Sequence, residues 1–523
     1  MATISLSLPS DGQTIDAADV NTPFNTISAA INGNLDNDNI ASGANISGTK
    51  LGALTTPLSK LDADGRGGWI SGVLAAPNTI TYNGNRSYDI VFNSTDYTDE
   101  VSNGMRLRLT RTVTPPTQCT DLESSSSQYW SKTSPAGTTF TDDFCAGAWI
   151  KLESYGTISP IVSRYNGTSG WSFRLSADGR VELIGYNAAS ANYSRVSSYQ
   201  SIPLNKWVHV AAQLDMSTFT ATSTTSYIMI DGISVPSSVD RGGTNPTALV
   251  QAGNLEVGSY NAGSQTCDGE LAQVWYSSAK ITQATIQGYI SQGMSGSETS
   301  IVSLFKFNGD GNDSNANANN LTANAGATAT TVDSPFNTTE YAVITKNAFS
   351  TNTTLTVQVP EGYAIPTSGG VSAVAYSTQD CPYGFPRDKG KWTVESLQKN
   401  QTASTSNATY GAFGSGGVKI TVPVGSWEVG YNLGLFSAST TPVYFNLSAT
   451  DITGSGATAN TDFASVVVSA VNAVTSWSRV NLFNPQTLTS QTSYTIYTLG
   501  STTSANMDGD NELCVLRAIP LFI

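Results

Sequence analysis

Histidine is nearly missing from this chain: His209 is the only one in 523 residues. A zinc site built from several histidines is therefore excluded within one chain, and a Ser-His-Asp triad can form only around that residue. Charge is scarce too, at 12% of residues, and it leans acidic, with a net charge of −14. Nucleic acid and anionic membrane both recruit positive patches, so neither is expected as a partner. No run of about 18 apolar residues occurs, so no membrane-inserted helix is expected. The start, Met1-Ala-Thr-Ile-Ser-Leu-Ser-Leu-Pro, has no basic stretch followed by an apolar one, and a secretory signal is not expected. Cys119, Cys145, Cys267, Cys381 and Cys514 form no C-x-x-C pair, and their odd number points to buried free thiols.

What is present reads as mostly β. Thr, Ser, Asn and Gly are abundant, a balance that favours strands and turns over charged surface helices. The length allows about three or four domains, and 39% hydrophobic residues suffice for packed cores.

Residues 1–65 do not resemble a closed domain. Leu35, Ile40, Ile46 and Leu51 recur every five or six positions among Asn, Ser, Gly and Asp, too sparse for a core but enough for a narrow seam between identical chains. Thr22-Pro23 offers an N-cap and first-turn proline, and Phe24, Ile27 and Ile31 follow at helical spacing, which predicts a short helix over 23–33. Leu51, Leu54, Leu58 and Leu61 return to 3–4 spacing, with Pro57 limiting any regular helix. The expectation is an N-terminal attachment region and extended oligomerising shaft over 1–65.

Over 66–120 a small β connector domain is expected. Asn83-Gly84 lies between two β-rich runs, a hairpin signal, and Met105-Arg-Leu107-Arg-Leu109 alternates so that Arg106 and Arg108 share a polar outer face. Over 121–335, strand-like runs follow in order: Phe144-Cys-Ala-Gly-Ala-Trp149, Gly170-Trp171-Ser-Phe-Arg-Leu, Lys206-Trp207-Val-His209-Val-Ala, Tyr227-Ile-Met-Ile-Asp231-Gly232 and Cys267-Asp268-Gly269-Glu-Leu-Ala-Gln-Val-Trp275-Tyr276. Trp207, His209, Ala211 and Gln213 alternate with Val208, Val210, Ala212 and Leu214, while Asp178-Gly179 and Asp231-Gly232 supply hairpin turns. In order and spacing these runs resemble the concanavalin A-like, laminin G-like superfamily. The resemblance implies a jelly roll of two packed antiparallel sheets, in which a histidine beside the strand tryptophan is packed and hydrogen-bonded. Leu304-Phe-Lys-Phe307-Asn-Gly-Asp310 resembles a motif that usually opens such domains but stands near the end here, which reads as a permuted order. Over 336–523 a second antiparallel β-sandwich is expected. Val418, Ile420, Val422 and Val424 alternate, as do Trp427, Val429, Tyr431, Leu433 and Leu435, and the apolar end Cys514–Ile523 reads as a buried strand, with the space between subunits as one place for it.

Such folds include both lectins and glucanases, so chemistry has to be read from residues. Retaining glycosidases need two carboxylates about 5 Å apart, which the superfamily's glucanases supply as Glu-x-Asp-x-x-Glu. No such run occurs over 121–335, and Asp508-Gly-Asp510-Asn-Glu512 reads as a turn, so no catalytic residue is expected. Of the aromatics Tyr129, Trp130, Tyr165, Trp171, Tyr186, Tyr193 and Tyr260, the four tyrosines Tyr165, Tyr186, Tyr193 and Tyr260 lie beside Asn and Gly and are the candidates for stacking on sugar. No cofactor is required. Calcium is the one metal considered, through Asp310, Asn312 and Asp313, since relatives carry it on the sandwich rim.

An oligomerising shaft, a lectin-like sandwich and a β-rich head together resemble bacteriophage tail-fibre and receptor-binding proteins. Asn32-Gly-Asn-Leu-Asp-Asn-Asp-Asn-Ile and Thr81-Tyr-Asn-Gly-Asn-Arg-Ser-Tyr carry that likeness. It implies a homotrimer in a virion, made in the host cytoplasm without a signal peptide and released by lysis. Its partners would be other virion proteins (tail, baseplate or capsid) and host surface polysaccharide. A capsid-attached head fibre or decoration protein with no specific ligand is the alternative, and a polysaccharide-degrading enzyme the third.

Overall fold

The computed structural model describes Trp69, residues 72–111, 118–137, 143–186, 192–216, 225–243, 253–330 and 339–361, the parts of 364–523 named below, and a few residues of 16–25. The chain divides into two units, Met1–Asp62 and Ala63–Ile523. In the first, Ala17, Ala18, Asn21, Thr22, Phe24 and Asn25 are helical, and Asp16 Oδ1 accepts a hydrogen bond from the Ala18 amide at 2.8 Å. The helix therefore starts before the expected position, because Asp16 caps it and Thr22 lies inside it. Phe24 is 67% exposed. Ile27, Ile31, Leu35, Ile40, Ile46, Leu51, Leu54 and Leu58 lie outside the described residues, as does the turn at 508–512.

The second unit is built of antiparallel sheets, and the chain is mostly β. A seven-stranded base sheet runs in the order Gly72–Leu74, Val371–Ser377, Arg106–Arg111, Thr339–Phe349, Asn352–Gln358, Ser87–Asn93, Thr79–Gly84. Its strands come from both sides of the lectin-like segment. The 66–120 stretch therefore has no sheet of its own, and the pairings that complete it, such as Leu107↔Ala342 and Leu109↔Val374, join positions too far apart for local pattern to reveal. The inserted segment closes on itself, since Cys119–Leu122 pairs with Thr328–Thr330. Adjacent ends of this kind are what make insertion of one sheet system into another tolerable.

Within the insert, a middle sheet runs in the order Ile233–Val235, Tyr227–Ile230, Val208–Asp215, Asp143–Leu152, Gly269–Ser277, Cys119–Leu122, Thr328–Thr330. Ile301–Phe305 pairs with the second half of Gly269–Ser277, while Cys119–Leu122 pairs with its first half. Strand alternation sends Phe144, Ala146, Ala148, Ile150, Val208, Val210, Ala212 and Leu214 into one core, shared with Trp171, Phe173 and Leu183 of an outer sheet. It sends Cys145, Trp149, Trp207, Ala211, Met229 and Trp275 into a second core, against Tyr82, Tyr88, Ile90, Phe92, Leu107 and Leu109 of the base sheet and Ile286 and Ile290 of helix Gln283–Gln292. The middle sheet is thus apolar on both faces.

The outer sheet passes from the first sandwich into the second without a break. Tyr193–Ser201 pairs with Val394–Gln398, which pairs with Cys514–Pro520, which pairs with Gly425–Ser437. Val418, Ile420, Val422, Trp427, Val429, Tyr431, Leu433, Tyr494, Ile496, Cys514, Leu516 and Ala518 form its core, as their alternation predicts. The final strand lies between two strands of its own chain and sends Cys514, Leu516 and Ala518 into that core, so packing within the chain accounts for these apolar residues.

Two local expectations change. The first hairpin turns on Asn85-Arg86, with φ of 48° and 61°, not on Asn83-Gly84; Gly84, at φ 88°, sits at a register shift where a Cβ would meet Ile233 Cδ1 at 2.2 Å. Arg106 and Arg108 do not make a solvated face. Arg106 is 6% exposed with its guanidinium 5.4 Å from the centre of the Phe385 ring, and Arg108 lies 5.4 Å from that of Trp69, which in turn stacks on Tyr341 at 5.7 Å.

The doubly buried middle sheet has a direct consequence. Residues 118–331 expressed alone expose Trp149, Trp207 and Trp275, and should bind an apolar dye or aggregate where the full chain does not. A soluble, monomeric fragment with unchanged near-ultraviolet circular dichroism would contradict the second core.

Candidate functional site

The outer sheet has one face in the first core and another pointing away from it. Trp171, Phe173, Val181, Leu183 and Val196 fill the core. By alternation, Ser163 and Tyr165, Gly170, Ser172 and Arg174, Glu182, Ile184 and Tyr186, and Tyr193, Arg195 and Ser197 occupy the other face. Register then aligns Tyr165, Gly170, Tyr186 and Tyr193 as one cross-strand row.

Gly170 is the gap in that row. It has φ of 119°, and a Cβ there would meet Arg164 O at 1.9 Å, so no side chain fits. With nothing between them, the Tyr165 and Tyr186 rings approach to 4.6 Å. Tyr260, from the short strand Ser259–Tyr260, packs on Tyr165 at 5.7 Å, and Tyr193 lies 6.3 Å from Tyr186. All four tyrosines expected from the sequence therefore join in one half-buried aromatic strip. Burial pushes the phenols of Tyr165, Tyr186 and Tyr193 up, so they remain neutral donors at ordinary pH.

A polar network that the sequence did not announce borders the strip. Arg174 Nε meets Glu182 Oε2 at 3.1 Å, Arg195 reaches Glu182 at 3.5 Å and Asp240 at 2.8 Å, and Ser197 Oγ donates to Glu182 Oε1 at 2.9 Å. The Tyr193 hydroxyl donates to Asp240 at 3.1 Å, and the Arg195 guanidinium lies 5.7 Å from the Tyr193 ring centre. Glu256, 2% exposed, accepts the Ala262 amide at 2.8 Å and so ties down the loop after Tyr260; burial raises its pKa. The usable signal was the alternation itself: Arg174, Glu182 and Tyr186 stand opposite the core positions of their strands.

The two tryptophans, Trp130 and Trp171, are structural. Trp171 is fully buried, and Trp130 is 6% exposed, packs on Phe307 at 5.6 Å and donates its indole N–H to Thr120 Oγ1 at 2.8 Å. His209 is buried with its ring edge-on to Trp149 at 5.4 Å. Its Nδ1 has no hydrogen-bond partner among the described residues, while its backbone amide donates to Asp231 Oδ1 at 3.0 Å.

The three residues proposed for calcium hold their own loop together. Asp313 Oδ1 accepts from the amides of Leu304 and Asn315, both at 2.9 Å, and Oδ2 from that of Asn319 at 3.0 Å, while Asn312 donates to Asp310. Such Asx turns explain an Asp- and Asn-rich loop without an ion. Elsewhere, Asp121, Glu153 and Glu270 place carboxylate oxygens within 4.8 Å of one another, with Lys151 Nζ 3.0 Å from Glu270. Asp121 and Glu270 come from separate strands and Glu153 follows a third, which is why no contiguous motif marks them. Burial, then the neighbouring acids, raise the pKa of Glu153.

Residues 124–287 match the family profile of the concanavalin A-like lectin/glucanases superfamily, in agreement with the two-sheet packing of this segment. None of the curated proteins compared matches the chain. Among solved structures, a putative carbohydrate binding protein from Bacteroides ovatus shares 18% identity over 43% of this chain and 61% of its own, with a TM-score of 0.32. A heptameric pentraxin from Limulus polyphemus shares 14% over 39% of this chain and 82% of its own, at 0.22. Domain 4 of an extracellular arabinanase from Geobacillus stearothermophilus, solved with arabinotriose, shares 16% over 29% and 68%, at 0.22. The alignment thus spans less than two thirds of the Bacteroides protein.

His209 makes a pH prediction. Burial lowers its pKa from 6.5 to about 3. Below about pH 6.5 the unfolded chain takes up a proton that the folded chain refuses until about pH 3, so this residue removes stability as pH falls through that window, by up to about 1.4 kcal/mol per pH unit. Urea unfolding of H209L and the parent chain at pH 7 and pH 4.5 should show the difference moving in favour of H209L at the lower pH. An unchanged difference would contradict a buried neutral imidazole.

Proposed function

We propose that this chain is an adhesive fibre subunit that binds surface polysaccharide through the strip Tyr260–Tyr165–Tyr186–Tyr193. The observation that carries the reading is the strip itself: four half-buried tyrosine rings in succession on the sheet face turned away from the core. Aromatic rings present flat apolar faces to the C–H face of a sugar, while the carboxylates and hydroxyls alongside hydrogen-bond its hydroxyls. The match of residues 124–287 to a superfamily of lectins and glucanases supports the same reading.

Binding is favoured over cleavage. Glu182, the acid at the centre of the face, has its two oxygens occupied by Arg174, Arg195 and Ser197. In the same reading, residues 1–65 assemble the chain into a homotrimer and attach it to a phage particle, in the manner of a tail fibre. Three linked weak sites then gain roughly 10² to 10⁴ in avidity where geometry permits.

Full-length chain run through gels containing bacterial surface polysaccharides should be retarded by at least one of them. Y165A and Y260A should each weaken that retardation about 3- to 10-fold, the worth of one aromatic contact. Equal retention of both variants would remove the strip from the site. Removing residues 1–65 should convert a trimer to a monomer by analytical ultracentrifugation and abolish incorporation into particles; a truncated chain that remains trimeric places the assembly elsewhere.

A further inference from the structure

We infer that the tyrosine strip accepts uncharged polysaccharide and turns acidic polysaccharide away, an inference that rests on the reading of this face as a sugar site. The cations of the face are already engaged. Arg174 serves Glu182, and Arg195 is shared between Glu182 and Asp240. A uronate or sialate carboxylate arriving at either guanidinium has to displace a carboxylate already in place, and the partly buried pair resists that exchange. Glu256 has no such counter-charge: it makes no salt bridge among the described residues, and its Oε2 is buried without a hydrogen-bond partner. An acidic sugar beside it finds another acid and no cation to pair with. The chain as a whole repels it, with a net charge of −14.

The same face lacks what a hydroxyl-rich ligand would bring. Glu256 Oε2, Ser172 Oγ and Arg195 Nε are all buried and without hydrogen-bond partners. Register joins them in a single row, Glu256↔Ser163↔Ser172↔Ile184↔Arg195, crossing five strands. Each member from Ser163 to Arg195 stands two residues along its strand from the tyrosine row, on the same face. An aromatic row and a row of unsatisfied acceptors and donors therefore lie side by side. Sugar hydroxyls both donate and accept, so they can pair with all three groups, and buried groups left unpaired favour any ligand that does so. With strands about 4.8 Å apart, the row from Glu256 to Arg195 extends roughly 19 Å, which suits an oligosaccharide crossing the strands and not a single sugar. The three atoms are closed to solvent in the free chain, and at Ser163 the cover is main chain, since Ser163 Oγ donates to Ser259 O at 2.8 Å, so a ligand that reaches the whole row has to shift the Ser259–Tyr260 segment as well as side chains.

The test uses the full chain in affinity gels at physiological salt, with dextran and galactomannan as uncharged probes and alginate and hyaluronan as uronate-bearing ones. At least one uncharged probe should retard it and neither acidic probe should. S172A and E256Q should each weaken retardation by the uncharged probe at least fivefold, with thermal midpoints recorded so that a misfolded variant is recognised; S172A stands as the milder change. Retention by alginate or hyaluronan overturns the inference, as does parental binding by both S172A and E256Q. If binding is to an acidic probe and is lost in Y165A, the tyrosine site stands and only the charge preference falls. If none of the four probes retards the chain, the charge preference falls, and the sugar site with it if bacterial surface polysaccharides also fail.

Discussion

Burial of the middle sheet on both faces is the constraint from which the rest of the second unit follows. Phe144, Ala146 and Ala148 face one core and Cys145 and Trp149 the other, so a single strand needs two covering layers. One layer is the outer sheet of the sandwich. The other is the base sheet, whose strands lie on both sides of the insert in sequence, and the pairing of Cys119–Leu122 with Thr328–Thr330 brings those two sides together. Large apolar side chains are at stake, and truncation of a buried tryptophan typically costs about 3–5 kcal/mol. The lectin-like segment is therefore one layer system of a larger body.

This arrangement leaves the rings of the tyrosine face half-open. The base sheet occupies the opposite side, and backbone pairing of Tyr193–Ser201 to Val394–Gln398 joins the outer sheet to the second sandwich. The backbone that carries the strip is thus fixed at its back and along one edge. Gly170 then determines its geometry, because the missing side chain lets Tyr165 and Tyr186 meet across an intervening strand.

Much of this was legible in the sequence where the signal is local. Alternation over Val208–Leu214 and Val418–Val422 placed core residues correctly, Asp231-Gly232 marked its turn, and Asn- and Gly-flanked tyrosines marked the strip. What stayed hidden depends on register between distant strands. Nothing near Arg106 foretells Phe385, so a buried cation–π contact read as a solvated face. Nothing near Glu256 shows that it shares a row with Ser172 and Arg195, and nothing near Leu107 shows that Ala342 lies beside it. The Asp- and Asn-rich loop at 310–315 offered ligand-like residues, but the amides that occupy them belong in part to the preceding strand.

Hydrogen–deuterium exchange of the full chain, with and without an oligosaccharide of the polysaccharide it retains, tests the central claim most directly. Protection should rise in peptides covering 159–201 and 253–264 and leave the second sandwich unchanged. Protection confined to residues 394–523, or absent from the tyrosine strands while ligand is bound, would contradict the account.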